Sequence, residues 1–407
     1  MTTRPLWRGR TLALLGIVLF AFSLRSAVAS LSPVVAYIEA DFTVPAWVLG
    51  LIATAPPACF AASGLFAPAL ERRLGLERLG VIAVLVVAVG LAGRGLSTGP
   101  VMLLVTTALI FAGVGVGNVL MPPLVKTYFP DRIGPMTALF TTTMAFSTFL
   151  PPLFAVPVAD TAGWQLSLGM WAVFALLATV PWIILIVRHR DAEDADLEQA
   201  PGPVFGRLWR LPLAWAVTVT FLVSSSIAYT GFAWLPDLLI DTAGVTPAQA
   251  GVLLALFGAM GLPGSLLVPV LVARIRAVVP VLYVVSVALG LAGVAGLLFA
   301  PAAAPWLWVA LLGLVQLYFP LALVLLGLRT RTHEGSVALS AFVQSLGYAI
   351  AAVVPFAIGM LYAGTGSWTW PLLVLAVVIL ASIPAGIVAV RARTIEDEWE
   401  HRHGAWR

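Results

Sequence analysis

The sequence predicts an all-α membrane protein, with twelve transmembrane helices arranged as two six-helix pseudo-symmetric halves. Three observations predict it. Of the 407 residues, 61% are hydrophobic and 10% are charged, whereas soluble domains carry about a quarter charged residues. The apolar residues fall into twelve runs, each near the ~20 residues a helix needs to cross the hydrocarbon layer. Finally, the pattern repeats at a spacing of about 200 residues with six spans per unit, which makes two halves of like topology related by an axis along the membrane normal.

The predicted spans, in order, are 11–38, 45–68, 79–98, 101–128, 135–158, 165–187, 211–239, 246–272, 279–299, 305–328, 336–362 and 369–390. Charge punctuates them. Span one follows Arg4, Arg8 and Arg10 and ends at Glu39 and Asp41. Span two runs from there to Glu71, Arg72, Arg73 and Arg78, which open span three. Spans four and five are divided by Lys126 and Arg132, and Asp160 separates five from six. Span six ends at Arg188. There the polar stretch 188–210, "RHRDAEDADLEQAPGPVFGRLWR", holds five acids and divides the spans six and six. Span seven ends at Asp237 and Asp241, span eight at Arg274 and Arg276, span ten at Arg329 and Arg331, and span twelve at Arg391 and Arg393. The expected organisation is therefore an N-terminal bundle over 1–187, a linker over 188–210, a C-terminal bundle over 211–390 and a tail over 391–407.

Twenty of the 22 Lys and Arg residues fall on alternate connections. That bias marks the cytoplasmic side, so both termini are expected there, in a bacterial inner membrane. The opening "RPLWRGR", the apolar stretch and Ala27-Val28-Ala29 mimic a secretory leader. The apolar run continues past that cut and Arg25 interrupts it, so the segment is read as a retained span. The halves align through Val44, Gly50, Pro68 and Arg73, which recur as Val245, Gly251, Pro269 and Arg274 at an offset of 201. Gly115-x-x-Asn118-x-x-x-Pro122 likewise recurs as Gly313-x-x-Gln316-x-x-x-Pro320.

The two remaining cations are Arg25 and Arg94. Arg25 lies about 21 Å from the cytoplasmic end of its span at 1.5 Å per residue, too far for snorkelling. A charge at that depth costs ~2.5–3.5 kcal/mol on insertion scales, and none of the 18 acids lies in the middle of a span, Asp237 standing near the outer end of span seven. Arg25 is thus either a recognition group for an acceptor-rich or anionic substrate or a structural charge bound to polar groups and carbonyls. Arg94, about four residues from the outer end of span three, is expected to snorkel to the interface or to guard an outer vestibule. Asn118 and Gln316 occupy matched mid-span positions, as ligand amides or as interhelical glue. Ser340, Gln344 and Tyr348 share one helix face in span eleven, as Ser225 and Tyr229 do in span seven, facing either the cavity or the packed interior. Trp234, one turn on, suits either the cavity or the interfacial aromatic belt. Glu71, Arg72, Arg73 and Arg78 form a cytoplasmic charge cluster, read as a latch between states or as a solvated loop. No catalytic or metal constellation appears, and all four histidines lie outside the spans. The chain is therefore expected to be no enzyme, to need no cofactor, and to bind no nucleic acid.

Together, "GLFAPALERRLGLER" (64–78), the twelve spans and the six-six repeat resemble the major facilitator superfamily. More narrowly, "SLRSAVASLSPV", "GVGVGNVLMPPLVKTYFPDR", "YTGFAWLP", "FPLALVLLGLR" and "ALSAFVQSLGY" resemble the cyanate permease and nitroimidazole transporter family. The resemblance implies a substrate site near the midplane and alternating access by rocking of the halves. It places Arg25, Asn118, Tyr229, Trp234, Gln316 and Gln344 at positions that family favours. Ser23-Leu24-Arg25-Ser26 stands where the family often has Asn-Leu-Arg-Pro. Tyr318 stands where glycine usually flanks the span-ten glutamine, and its bulk is expected to narrow the pocket. The expected partners are the lipid bilayer and a small-molecule substrate, anionic or nitro-bearing, handled by a monomer. The rival transport reading, efflux of amphipathic drugs, usually needs a buried acid, and no span holds one.

Overall fold

A computed structural model describes residues 10–129, 133–188, 203–275, 278–391, 393–404 and 406, apart from the side chains at 68, 72, 122, 126, 133–135, 137, 138, 188, 203, 204, 273, 333, 334 and 337. Most of the expected linker (189–202) lies outside the described residues, as do Arg4, Arg8, Arg132, Arg190, Arg276 and Arg407 and the side chain of Arg72. Ten stretches among the described residues are long and apolar enough to cross a membrane. One of them, Leu139–Val187, is two spans that fold back at Gly163, whose φ of +85° suits glycine alone. Span one is a further crossing that is broken partway. The helices thus follow the twelve expected spans.

Span one is helical over Arg10–Ser26, unwinds through 27–31, forms a single 3-10 turn over Ser32–Val34 and resumes as Val35–Asp41. The local sequence explains the break. Ser30 and Ser32 compete for backbone groups, and Pro33 removes a donor. Ser23, Ser26, Ser30 and Ser32 are all buried, and Ser26 and Ser30 each donate to a carbonyl three residues earlier. Its counterpart in the repeat, span seven, is a continuous helix over Pro212–Ala243. Span ten is also interrupted, by a 3-10 segment over Leu314–Leu317. Spans two and three (Ala46–Leu74 and Leu76–Gly95) are joined by Gly75 alone at φ +80°, so the charge cluster sits on the shortest connection a glycine permits.

The chain forms two compact units. One holds residues 1–48 and 62–197, the other 49–61 and 198–407. Residues 49–61 of span two pack within the second unit. There Thr54 donates to the Ala352 carbonyl at 3.0 Å. In the first unit, span one packs on spans four, five and six, and span three on spans four, five and six. Gly113 permits the span three–four approach: a Cβ there would meet the Ala83 carbonyl at 2.7 Å. Gly293 serves the equivalent span nine–ten pair, where a Cβ would meet the Leu312 amide nitrogen at 2.8 Å.

The units share a tie that the sequence pattern did not announce. Trp164 donates its indole N–H to Asp41 at 2.7 Å, and Trp368 donates to Asp241 at 2.8 Å. Tyr37 donates to Asp160 and Tyr362 to Asp241. In each unit the end of the first span is thereby fastened to the turn between its last two spans.

The tail is structured. Ile395–His403 is a helix capped reciprocally by Thr394 and Asp397, and hydrogen bonds from Thr394 hold the Asp397 carboxyl below its usual range. Glu396 is fully buried and accepts from the backbone of Arg331 and from both the backbone and the hydroxyl of Thr332. Glu396→Ala strips the span ten–eleven connection of its acceptor. We expect a loss of about 2–4 kcal/mol, since hydrogen bonds to charged groups contribute ~1.5–3 kcal/mol each and are not additive. The check is the thermal midpoint, together with earlier tryptic cleavage at Arg391 and Arg393.

Candidate functional site

In the first unit the chemistry gathers at the break in span one. Arg25 is in the last turn of the helical segment, where the exposed carbonyl ends of the helix favour a cation. It is partly buried. Gly117 of span four lies against Leu24 and Phe20: an added Cβ would come within 2.5 Å of Leu24 and 2.8 Å of the Phe20 ring. Arg25 and Asn118 are the residues that follow this crossing on each helix. Asn118 is also partly buried. Gly117→Val would force the two helices apart. We expect it to abolish transport while leaving membrane insertion intact, read by flux alongside surface expression.

Arg94 does not snorkel to the interface. It is 1% exposed and is turned inward. Its Nε and one terminal nitrogen donate to Thr107 Oγ1 at 3.2 and 3.1 Å, and the other donates to the Ala27 carbonyl at 3.2 Å. Its guanidinium also lies 5.9 Å from the Phe111 ring centroid. Ala27 is the first residue of the unwound stretch, so Arg94 ties span three to the point where the span-one helix ends. Sequence reasoning missed this because Thr107 lies across the span three–four hairpin.

In the second unit, Tyr229 and Tyr348 come together as the span-seven and span-eleven stripes suggest, with ring centroids 6.3 Å apart. Phe60 joins them at 6.1 and 5.4 Å, and Phe221 stacks edge-on to Tyr348 at 4.8 Å. Phe60 carries no polar atom and was invisible to a search for polar stripes. Gln344 donates to Ser340 at 2.8 Å, the (i, i+4) pairing its face predicts. Ser225 is buried on span seven.

Two residues are occupied elsewhere. Gln316 donates its amide to the Phe257 carbonyl at 2.9 Å, tying span ten to span eight, so the interhelical reading accounts for its donor side. Trp234 is not a belt residue: it is 7% exposed and donates to the Pro355 carbonyl at 2.9 Å. Its ring lies 6.5 Å from that of Trp368, centroid to centroid. Tyr318 does not narrow a pocket either. It is fully buried, donates to the Tyr283 carbonyl at 3.1 Å and lies 3.0 Å from the Ser382 hydroxyl. At the charge cluster, Glu71 is buried whereas Arg73 and Arg78 are exposed, and the neighbouring Glu77 accepts from Tyr128 of span four. Among the described residues no cluster of His, Cys, Asp and Glu is arranged to hold a metal.

A family model described as Major Facilitator Superfamily matches residues 14–352. The chain is 33% identical over 400 residues to a Bacillus subtilis protein described as the uncharacterized transporter YycB, covering 96% of each chain. It is 32% identical to the 2-nitroimidazole transporter of Escherichia coli K12, over 95% of this chain and 98% of that one. It is 26% identical to the E. coli cyanate transport protein CynX, over 93% and 97%. Among solved structures, the D-xylose-proton symporter superposes with a TM-score of 0.67 at 13% identity, over 95% of this chain and 99% of that one. A bacterial homologue of Spinster in its inward-facing, occupied form gives 0.68 at 15%, over 95% and 94%.

Proposed function

The chain belongs to the Major Facilitator Superfamily, as a multi-pass transporter of the bacterial cell membrane and not an enzyme, and from that premise we propose that it moves a small anionic or nitro-bearing polar solute recognised by Arg25. The observation that carries this reading is the placement of Arg25, half-buried, at the unwound break of span one. A guanidinium is always charged and presents a planar fork of donors, which matches the paired oxygens of a nitro group or a small anion. Tyr229, Tyr348 and Gln344 supply neutral donors and aromatic faces in the second unit. Relatives described as carrying 2-nitroimidazole and cyanate fit the same chemistry.

The acid that falls within a predicted span is Asp237, near the outer end of span seven, and the histidines lie outside the spans, so a proton relay through the middle of the membrane is hard to build from side chains. Uniport, exchange, or a proton travelling with the solute fits better. An anion entering a negative cell alone faces ~2.3 kcal/mol per charge per 100 mV, which favours exchange or export. Both termini sit on the cytoplasmic side in this reading, and the two halves rock to alternate access, as the repeat implies.

The test is thermal stabilisation of the purified protein by cyanate, nitrate, small carboxylates, nitroimidazoles and lipophilic cations, with Arg25→Ala alongside. A bound ligand stabilises the folded state by mass action. A shift by an anion or nitro compound that disappears in Arg25→Ala supports the reading. A shift with lipophilic cations alone replaces it with amphipathic efflux.

A further inference from the structure

A second site lies at the membrane-surface end of the second unit, remote in sequence from the residues assigned to transport. A cavity of about 270 Å³ is lined by Leu213, Val388, Arg391, Arg393, Glu398, His401 and Arg402. It is enclosed by the first turn of span seven, the last turn of span twelve and the tail helix. The carboxylate is already committed. Glu398 accepts from the Leu213 backbone at 3.0 Å and pairs with Arg402 at 3.4 Å. Arg391 and Arg393 are exposed at the same cavity, and Arg393 lies within electrostatic reach of the Asp397 carboxylate. The cavity lining thus keeps three arginines against one carboxylate, and a liquid water molecule takes only ~30 Å³, so a tetrahedral oxyanion fits.

Position identifies the source of that anion. Span seven begins at Pro212 and span twelve ends at Ala389, so the cavity sits where the hydrocarbon layer gives way to headgroups. Leu213 and Val388 form its apolar floor. Just beneath, Ile383 and Ile387 lie one turn apart on span twelve and are 44% and 62% exposed, a lipid-facing track for acyl chains. A basic pocket above an apolar track is the arrangement that holds a phospholipid headgroup. We infer that the cavity bounded by Arg391, Arg393 and Arg402 is a binding site for an anionic phospholipid, its phosphate seated between Arg391 and Arg393. The docked tail helix completes the site.

The experiment uses the purified full-length chain in detergent, titrated with phosphatidylglycerol, phosphatidylcholine or inorganic phosphate and read by lipid retention in native mass spectrometry and by thermal midpoint. The variants are R391Q/R393Q, R391K/R393K and, as a control away from the cavity, R274Q. Wild type should retain phosphatidylglycerol over phosphatidylcholine. R391Q/R393Q should lower that retention about 30-fold, as expected for two basic residues near a charged surface. R391K/R393K and R274Q should stay close to wild type. Equal retention by wild type and R391Q/R393Q overturns the site. Stabilisation by inorganic phosphate matching that by phosphatidylglycerol overturns the lipid assignment.

Discussion

Arg25→Ala is expected to remove saturable transport of the recognised solute while the protein still reaches the membrane. A hydrogen bond to a charged group contributes about 1.5–3 kcal/mol, so losing one weakens binding roughly 10- to 150-fold, and a bidentate contact loses more. Arg25→Lys keeps the charge but not the planar fork, and should fall between wild type and Arg25→Ala. The measurement is initial uptake or efflux of radiolabelled solute in proteoliposomes, over a concentration series. Unchanged half-saturation in Arg25→Ala would show that the cation at the break serves the fold alone.

Arg94→Leu is expected to damage both stability and transport without touching the solute. The substitution removes a fully buried cation whose partners are Thr107 and the Ala27 carbonyl. The carbonyl then faces an apolar side chain, and an unsatisfied buried acceptor costs about 1–3 kcal/mol. With the lost charged bonds the total should be ~2–4 kcal/mol. Arg94 is a positioning residue: it fixes the start of the gap and, through it, the last turn that carries Arg25. Arg94→Lys retains the charge and one donor direction, and should recover part of the midpoint. Ligand stabilisation separates the two arginines. In Arg94→Leu the solute still shifts the midpoint, weakly; in Arg25→Ala it does not.

The residues differ in how openly the sequence displayed them. The spans were legible because a bilayer imposes a length and a polarity on every crossing, and the alignment of Asn118 with Gln316 was legible because duplication preserves spacing. The partnership of Ser340 with Gln344 followed from helix geometry alone. The break after Arg25 left only a local trace, four serines and Pro33, which an apolar run of normal length concealed. Arg94 was misjudged because depth was counted along the chain from the nearest end, while its burial depends on Thr107 and Ala27, distant in sequence. Phe60 was missed because an apolar residue in a membrane span carries no signal of its own. The tail helix had its signature, Thr394-x-x-Asp397, but the docking of Glu396 under Arg331 and Thr332 needed the fold.

The contrast between span one and span seven bears on the history of the chain. At the offset that aligns the halves, the counterpart of Arg25 is Ser226, a buried small hydroxyl in an uninterrupted helix. Both copies kept their tryptophan–aspartate fastening, but only one copy acquired the interrupted helix and its charge. Matched positions of the repeat thus carry unlike backbones, a helix that stops beside a cation in one half and a helix that runs on past a serine in the other.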